Sequence, residues 1–427
     1  MIKIAIWGYG YHGHDLEAIL SFCWQEKYRI TYVLDRKFEE IKASGRCRYP
    51  IAHPDQAKEL FDRGLFDAVL IGVFDPNQYR AVEQALNVQG IPVLALEKAS
   101  EFFSPEETPN ENCDLSLLQD GYQLFVYRNH YLSTTLSPGI SFVTDRTGRM
   151  NRACYDPYYD KPHAFLHYSR PSIRLPAEEL SGDWCCLCRL YSDNYWHFTY
   201  EVLDRLWLME RSGYRGRYLL LRSSFAEELL LLAGVDLSRI TWVQNLERNK
   251  TYHFERLFCV AVNEEYRIKA ASVLHQAASA IVSHLPPLSH SYPKRIYVKR
   301  IGRRKLILPE AFLEKYQFKT IVPENLSVAE QIRCFEQADI VLSPHGANST
   351  NCLYMHPGSV LIETFPHDYI RPCCLETLAT QDVAYFPLPE TQDAGSHGQT
   401  ALGSDYSINT ILLEMTMQNI FRLCREE

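Results

Sequence analysis

In "IVLSPHGANSTNCLYMHPGSVLIETFP", residues 340 to 366, His345, Gly346 and Ala347 follow a buried-strand pattern, and Glu363 closes the next one. In an open parallel α/β sheet, ligands sit beyond the carboxyl ends of the strands, where loops enter helices. Small residues there let a ligand approach the backbone, and the N–H groups of a helix starting near Asn348 attract a phosphate. A carboxylate such as Glu363 could accept hydrogen bonds from a ribose diol. Together these residues suit a nucleotide. Taken alone, Gly346 could simply turn the chain, with Asn348 or Ser349 capping a helix.

"KRIYVKRIGRRK", 294 to 305, places Arg300, Arg303, Arg304 and Lys305 just after a predicted strand in a chain of net charge −8. Guanidinium groups suit bidentate contact with a diphosphate, although a charge run can also be a solvated face. A third constellation lies in "SDNYWHFTYEVLDRLWLME", 192 to 210. Helical spacing puts Val202, Leu203, Leu206 and Met209 on an apolar side and Asp193, His197, Glu201 and Asp204 on a polar one. His197, or else Asp193, could serve as a catalytic base; the histidine could take a proton near neutral pH, with a carboxylate such as Glu201 one turn away to orient it. Otherwise Asp193 caps the helix and His197 hydrogen-bonds within an interdomain face.

A fourth pattern opens the chain. "IWGYGYHGHD" contains Gly8, Gly10 and Gly13 in GxGxxG spacing between a predicted strand and helix, and Asp35 ends the second strand 22 residues after Gly13. A dinucleotide site uses glycines near pyrophosphate and an acid on the ribose. Glycine turns of this kind also serve as plain strand-to-helix connections, so a bound nucleotide and a structural role both remain open.

These residues need elements to hold them. Residues 1 to about 105 alternate strand and helix, with strands at Ile2–Trp7, Ile30–Leu34, Ala68–Val73 and Pro92–Leu96, which predicts a small parallel α/β domain. "FFSPEETPNENCD", 102 to 114, reads as a linker. A mixed domain is expected over 115–285, ending in the proline-rich run "SHLPPLSHSYP", 283 to 293, read as a hinge. A second α/β domain is expected over 290–390 and a polar segment over 390–405. A helix over 405–427 closes the chain.

With 427 residues and 46% apolar content, the chain can bury two or three cores. Its acidity excludes a general basic field for nucleic acid or anionic membrane. The start lacks the pattern of a signal peptide, and the longest apolar stretch, Leu229 to Val235, is too short to span a bilayer. A cytoplasmic protein is therefore expected. Sequons at Asn249, Asn325 and Asn348 are expected to carry no glycan, since one at Asn348 would obstruct the glycine loop. Cys185, Cys186 and Cys188 lack a matching CxxC pair and read as buried thiols, so no metal site is expected.

"DNYWHFTYEVLDRL" (193 to 206), the basic run with the glycine loop (297 to 366) and "SDYSINTILLE" (404 to 414) together resemble glycosyltransferase family 61. The resemblance spans about 190 to 420. It implies a GT-B-like pair of Rossmann-like domains facing a cleft, here preceded by the small α/β domain. It also implies sugar transfer from a nucleotide sugar, a hexosyl or pentosyl donor, to a glycan or related acceptor, with inversion and with no required cofactor. Carried over, Asn194 and His197 match the helix motif, Arg300 and Arg304 the basic motif, His345 and Gly346 the glycine loop, and Glu363 the strand-end acid. The tail helix is expected to return across the hinge. Lys299 stands where the family usually has serine, and "HGANS" where it has HGAGL or HGAAL, so the resemblance leaves the donor open. The N-terminal domain resembles the small Rossmann-like domains of bacterial sugar-modifying acyltransferases. A surface-polysaccharide setting beside other assembly enzymes follows from the resemblance. An NAD-dependent oxidoreductase built on Gly8 and Asp35, or an inactive sugar-nucleotide sensor, would be the rival functions.

Overall fold

The computed structural model describes residues 1–24, 26–45, 47–73, 76–94, 113–135, 137, 141–150, 173–189, 191–262, 267–288, 290–367, 369–390 and 405–423. The expected linker at 102–114 and the polar segment at 390–405 lie almost wholly outside those residues.

The first sheet has four parallel strands: β1 (Ile2–Trp7), β2 (Tyr28–Leu34), β3 (Ile51–Ala52) and β4 (Ala68–Ile71), in the order β3-β2-β1-β4. Helices α1 (Tyr11–Cys23), α2 (Phe38–Ala43), α3 (Ala57–Asp62) and α4 (Pro76–Val88) connect and flank them. The strand expected from Pro92 is, among the described residues, one parallel bridge from Val93 to Val69. Close contact dictates the glycines here. A Cβ on Gly13 would lie 2.2 Å from the Gly8 carbonyl oxygen, and one on Gly72 would lie 2.6 Å from the same atom.

The second sheet is mixed. It contains β5 (Cys113–Leu117), β6 (Tyr122–Thr134), β7 (Ser141–Thr144), β8 (Glu178–Cys186), β9 (Arg217–Leu220), β10 (Ile240–Trp242) and β11 (Thr251–Val262). The order is β10-β9-β8-β11-β6-β5, with β7 also on β6. Strands β10 through β11 run parallel, whereas β6 is antiparallel to β11 and β5. The helix after β8 runs from α5 (Tyr195–Phe198) through a π turn (Thr199–Leu203) into α6 (Asp204–Arg211). Helices α7 (Ala226–Leu232) and α8 (Arg267–Ser283) complete this unit.

The third sheet is wholly parallel: β12 (Arg295–Val298), β14 (Lys319–Ile321), β15 (Ile340–Pro344), β16 (Ser359–Phe365) and β17 (Val383–Pro389), in the order β14-β12-β15-β16-β17. Its helices are α9 (Glu310–Lys315), α10 (Val328–Glu336) and α11 (Cys373–Leu378). A short pair, β13 (Leu306–Ile307) with β18 (Tyr406–Ser407), ties the tail to the basic loop. The α/β class with parallel sheets expected from the alternating pattern is the class observed.

Two expectations about the second and third units are corrected. The tail helix α12 (Thr410–Leu423) buries Leu413, Met417 and Ile420 against Tyr297, Phe312 and Leu342 of its own domain. Its apolar stripe is satisfied there, so it does not cross to the other unit. Nor is the 283–293 run a hinge between separate cores. Val328, Ile332, Leu353 and Tyr354 of the third unit are buried in one cluster with Phe198, Leu229 and Ile281 of the second. A continuous apolar interface of this kind opposes rigid-body opening.

Polar contacts reinforce the junction. The Glu228 carboxylate accepts from the N–H groups of Val328 and Ala329 at 2.9 Å each, capping α10 from outside its own domain. Tyr195 donates from its hydroxyl to Asn351 Oδ1 at 2.8 Å. Replacing Tyr195 by phenylalanine leaves that buried oxygen unpaired and is expected to cost about 1–3 kcal/mol, read as a lower melting temperature.

The N-terminal domain is docked as well. Phe142 and Met150, fully buried, share a core cluster with Leu16, Ile19 and Leu20 of α1, and Tyr191 packs against the same cluster.

Candidate active site

In the third sheet the chain leaves β12 for β14 on one side and later returns through β15 on the other, so the β12/β15 boundary is a topological switch point. Ligands of open α/β sheets bind in the crevice beyond the carboxyl ends of such strands. Arg300 lies two residues past the end of β12, and His345 one past the end of β15.

The Arg300 guanidinium spans that boundary. Its Nη1 donates to the His345 carbonyl at 3.0 Å and its Nε to the Arg303 carbonyl at 3.0 Å. It lies so close to the glycine loop that a Cβ on Gly346 would fall 1.4 Å from Nη1. Gly346 is thus required by the arginine rather than only by a turn. Burial first, then the neighbouring Arg304, pushes the Arg300 pKa down, with Tyr406 and Glu324 opposing that shift. Among the described residues, Arg300, Arg303, Arg304 and Arg371 have no carboxylate within salt-bridge distance.

His345 is held by three groups. Its N–H donates to the Thr364 carbonyl at 2.8 Å, its ring packs on Phe365 at 5.0 Å, and its Nδ1 meets Glu363 Oε1 at 2.7 Å. An imidazole held through Nδ1 has Nε2 left for a ligand. Glu363 itself is fully buried. Tyr385 donates to Oε2 at 2.7 Å and Cys374 to Oε1 at 3.3 Å. Burial and then the Glu363 charge push the Tyr385 hydroxyl well up, which keeps it protonated and donating. Glu363 therefore orients His345 and does not present the open carboxylate expected for a ribose.

The segment after Gly346 is a 3₁₀ helix, Ala347–Tyr354, rather than an α-helix, with Ser349 N–H bonded to the Gly346 carbonyl at 2.9 Å. The N–H groups of Ala347 and Asn348 precede that first bond. Asn348 donates through Nδ2 to Glu324 Oε1 at 3.1 Å. The basic loop divides its labour. Arg303 is exposed, and Lys305 contributes its backbone to β18, with Lys305 N–H on Asp405 Oδ1 at 3.0 Å and its carbonyl accepting from Tyr406. Arg304 adopts φ 60°, unusual for a residue with a Cβ, and its guanidinium stands 4.3 Å from the Tyr369 ring centroid. Strain of this kind concentrates at functional sites.

On the helix after β8, Asn194 is the cap: its Oδ1 accepts from Trp196 N–H at 3.0 Å. Asp193 is exposed just before it, so the capping role considered for Asp193 falls to its neighbour. His197 Nδ1 meets Glu201 Oε2 at 3.1 Å, with Glu201 buried and His197 partly exposed. The His197 ring lies 5.6 Å from that of Tyr191, itself at φ 63°. Asp204 does not share their face. It is buried against Arg205 at 3.0 Å and accepts from the Tyr122 hydroxyl at 2.5 Å. The wide π turn rotates the residues after Leu203 relative to an uninterrupted helix, which sends Asp204 inward.

In the N-terminal domain Asp15 is 5% exposed, with Oδ2 lacking a hydrogen-bond partner among the described residues. Burial, and after it the Asp193 charge, pushes the Asp15 pKa up to about 7. The glycine pattern of that domain is formed, but Asp35 is occupied. Its Oδ2 accepts from Tyr9 N–H at 2.6 Å and its Oδ1 from Lys37 N–H at 2.7 Å. The acid expected on a ribose instead closes the Gly8–Gly10 turn.

The structure thus gathers Arg300, Arg303, Arg304, His345 and Gly346 at one crevice, and pairs His197 with Glu201 on a second element. Sequence reading missed Asp15, Tyr369, Arg371 and Tyr385. The signal for two of them was "PHDYIRP", 366 to 372, an aromatic and an arginine just past a parallel strand. Among the described residues no three His, Cys, Asp or Glu side chains group as metal ligands.

Residues 195–362 match the family model described as Glycosyltransferase 61. That span holds His197, Arg300, Arg304 and His345, supports a glycosyltransferase, and does not reach the N-terminal domain. No curated protein matches the chain. Among solved structures, E. coli ADP-heptose lps heptosyltransferase II is similar at 9% identity and a TM-score of 0.18, covering 95% of this chain and 93% of that one, a likeness too slight to bear on fold or function.

Proposed function

We propose that the protein transfers a sugar from a nucleotide-sugar donor to a hydroxyl of a glycan or related acceptor, with inversion and with guanidinium groups facing the leaving group. The observation that carries this reading is Arg300 lodged across Gly346 at the switch point, beside cations that among the described residues have no carboxylate within salt-bridge distance. The family match over 195–362 supports it.

In the proposed reaction the bond between the anomeric carbon and the donor phosphate breaks, and its electron pair leaves with the nucleotide. Arg300 and Arg304 oppose the charge that accumulates there, in a place where preorganised donors act most strongly. The acceptor oxygen attacks the anomeric carbon from the opposite face and its proton passes to His197. Glu201 holds His197 through Nδ1 and stabilises the imidazolium. The first turn of that helix is anchored to the glycine loop by Tyr195 and Asn351.

His197→Ala is expected to lower transfer by roughly 10²- to 10⁴-fold while nucleotide binding persists. Unchanged transfer would remove His197 from the chemistry, and a protein that binds but never transfers would be a sensor. The direct test of the whole reading is thermal stabilisation against UDP-, GDP-, CMP- and dTDP-sugars, with NAD and NADP alongside. A ligand at about a hundred times its dissociation constant adds roughly 2.7 kcal/mol. Stabilisation by a nucleotide sugar that Arg304→Ala abolishes is the expected result. Stabilisation by NAD alone would move the function to the first domain. The setting we propose is cytoplasmic, beside other enzymes that build a bacterial surface polysaccharide. No helix among the described residues is long and apolar enough to cross a membrane.

A further inference from the structure

The helix that carries His197 is entered through a tight turn, residues 189–194, between β8 and α5. Ser192 donates from its hydroxyl to the Arg189 carbonyl at 2.8 Å, and Asn194 donates its N–H to the Tyr191 carbonyl at 2.8 Å before capping the helix itself. Tyr191 sits in the middle of that turn at φ 63°, a conformation that glycine and asparagine accept and that a residue with a bulky side chain resists.

The Tyr191 side chain reaches two ways. On one side it packs against the apolar cluster that Leu16, Ile19 and Leu20 of α1 form with Phe142 and Met150. On the other its ring lies 5.6 Å from that of His197, inclined at 47°. The charge of Asp193 acts on Asp15 of α1, a second sign that α1 lies against this turn. Glu201 at Nδ1 and the Trp196 ring at 4.8 Å also hold the imidazole, but both travel with the helix. Tyr191 lies outside the helix and is seated on a core built mainly from the N-terminal domain.

We infer that Tyr191 is a positioning residue through which the N-terminal domain sets the orientation of the His197 ring, which makes that domain a working part of the transfer site. This rests on the reading of His197 as the base. An imidazole tied through Nδ1 alone can tilt about that bond, and a packed aromatic neighbour removes the freedom. The donor groups Arg300 and His345 stand on the third sheet and do not depend on Tyr191. A loss of His197 alignment therefore falls on kcat and spares the donor KM.

The test uses the full chain and follows nucleotide release from UDP-, GDP-, CMP- and dTDP-sugars, with free mono- and disaccharides as acceptors. Tyr191→Asn accepts the backbone angle and removes the ring. It is expected to lower kcat by roughly 10- to 100-fold, since a misplaced catalytic group costs about that much. Its donor KM and its nucleotide stoichiometry should stay at wild-type values, which separates misalignment from a partly unfolded sample. Tyr191→Phe keeps both ring contacts and should restore kcat to within about threefold of wild type. Leu16→Ala, a buried α1 position in the same cluster, should lower kcat in the wild-type background and add nothing to Tyr191→Asn, the non-additivity of two residues acting through one contact. Wild-type kcat in Tyr191→Asn, or additive losses in the double variant, while His197→Ala is impaired, would overturn the inference and leave the transferase reading standing. If His197→Ala transfers as wild type does, or wild type releases nucleotide from none of the donors, the reading of the base fails and this inference falls with it.

Discussion

Replacing Gly346 by valine is expected to weaken nucleotide binding severely in a protein that still folds. A Cβ at that position would sit 1.4 Å from Arg300 Nη1, 2.6 Å from its Cζ and 3.2 Å from Nη2. All three atoms belong to the far end of a long side chain, so the clash is relieved by swinging the guanidinium out of the crevice rather than by moving the backbone. That motion breaks the bonds to the His345 and Arg303 carbonyls and removes the cation from its place at the switch point. Losing a charge-assisted contact to a phosphate, with the loop disturbed as well, corresponds to about 2–4 kcal/mol, or roughly 30- to 1000-fold in affinity. The check is calorimetric titration with the nucleotide that stabilises wild type, beside thermal melts of both proteins. Wild-type affinity in the valine variant would show that the crevice is not the donor site. A collapse in melting temperature would mean that the glycine serves the fold instead.

The second large effect concerns Asp15. Its pKa is raised to about 7 by burial and then by Asp193, well above the ordinary carboxylate value near 3.8. Between those two values the folded protein binds a proton that the unfolded chain does not. Stability is therefore fully present below about pH 4 and is lost as the pH rises toward 7, by about 4 kcal/mol at most from this one group. Asp15→Asn cannot titrate and escapes that loss. The variant is expected to melt above wild type at pH 8, with the gap narrowing steadily toward pH 5. A gap independent of pH would show that Asp15 titrates as an ordinary surface acid. Ionised, the same carboxyl is repelled by Asp193, the residue preceding the His197 helix cap, so its titration also bears on how firmly the N-terminal domain is seated on the rest of the chain.

The fused core changes how the proposed reaction is pictured. Val328, Ile332 and Leu353 are buried with residues of the second unit, and Tyr195 and Tyr200 bond to Asn351 and Thr377 of the third. Closing two rigid halves around a substrate would have to break these contacts. Water exclusion on acceptor binding is then a matter for loops at the crevice, not for a swing about the proline-rich run.

Much of the fold was legible because its signals are local. The alternation of β-branched and aliphatic runs with amphipathic stretches marks β12, β15 and β16 within a residue or so, and Ser327 with Glu330 makes the capping box that starts α10. Hydrophobic periodicity depends only on near neighbours, so it survives without knowledge of the partner surface. The 3₁₀ form of Ala347–Tyr354 and the π turn at Thr199–Leu203 were not legible. Both depend on how a short segment packs against elements far away in the chain.

For the site, residue types and spacing by themselves determined which side chains are candidates: a glycine after a strand, a run of arginines after another, a histidine one turn from a glutamate. Their assignment to roles was decided by tertiary structure. Strand order brought Arg300 onto Gly346 across 45 intervening positions of sequence, a contact no local pattern encodes. Burial turned Glu363 from an expected ligand contact into an internal support, because a carboxylate removed from water must take hydrogen bonds from whatever lies nearest, while the partly buried Asp35 is taken up by the N–H groups of Tyr9 and Lys37. The opposite holds for Arg304 and Arg371. Packing supplied them with an aromatic face and, among the described residues, no carboxylate within salt-bridge distance, which suits them to a ligand.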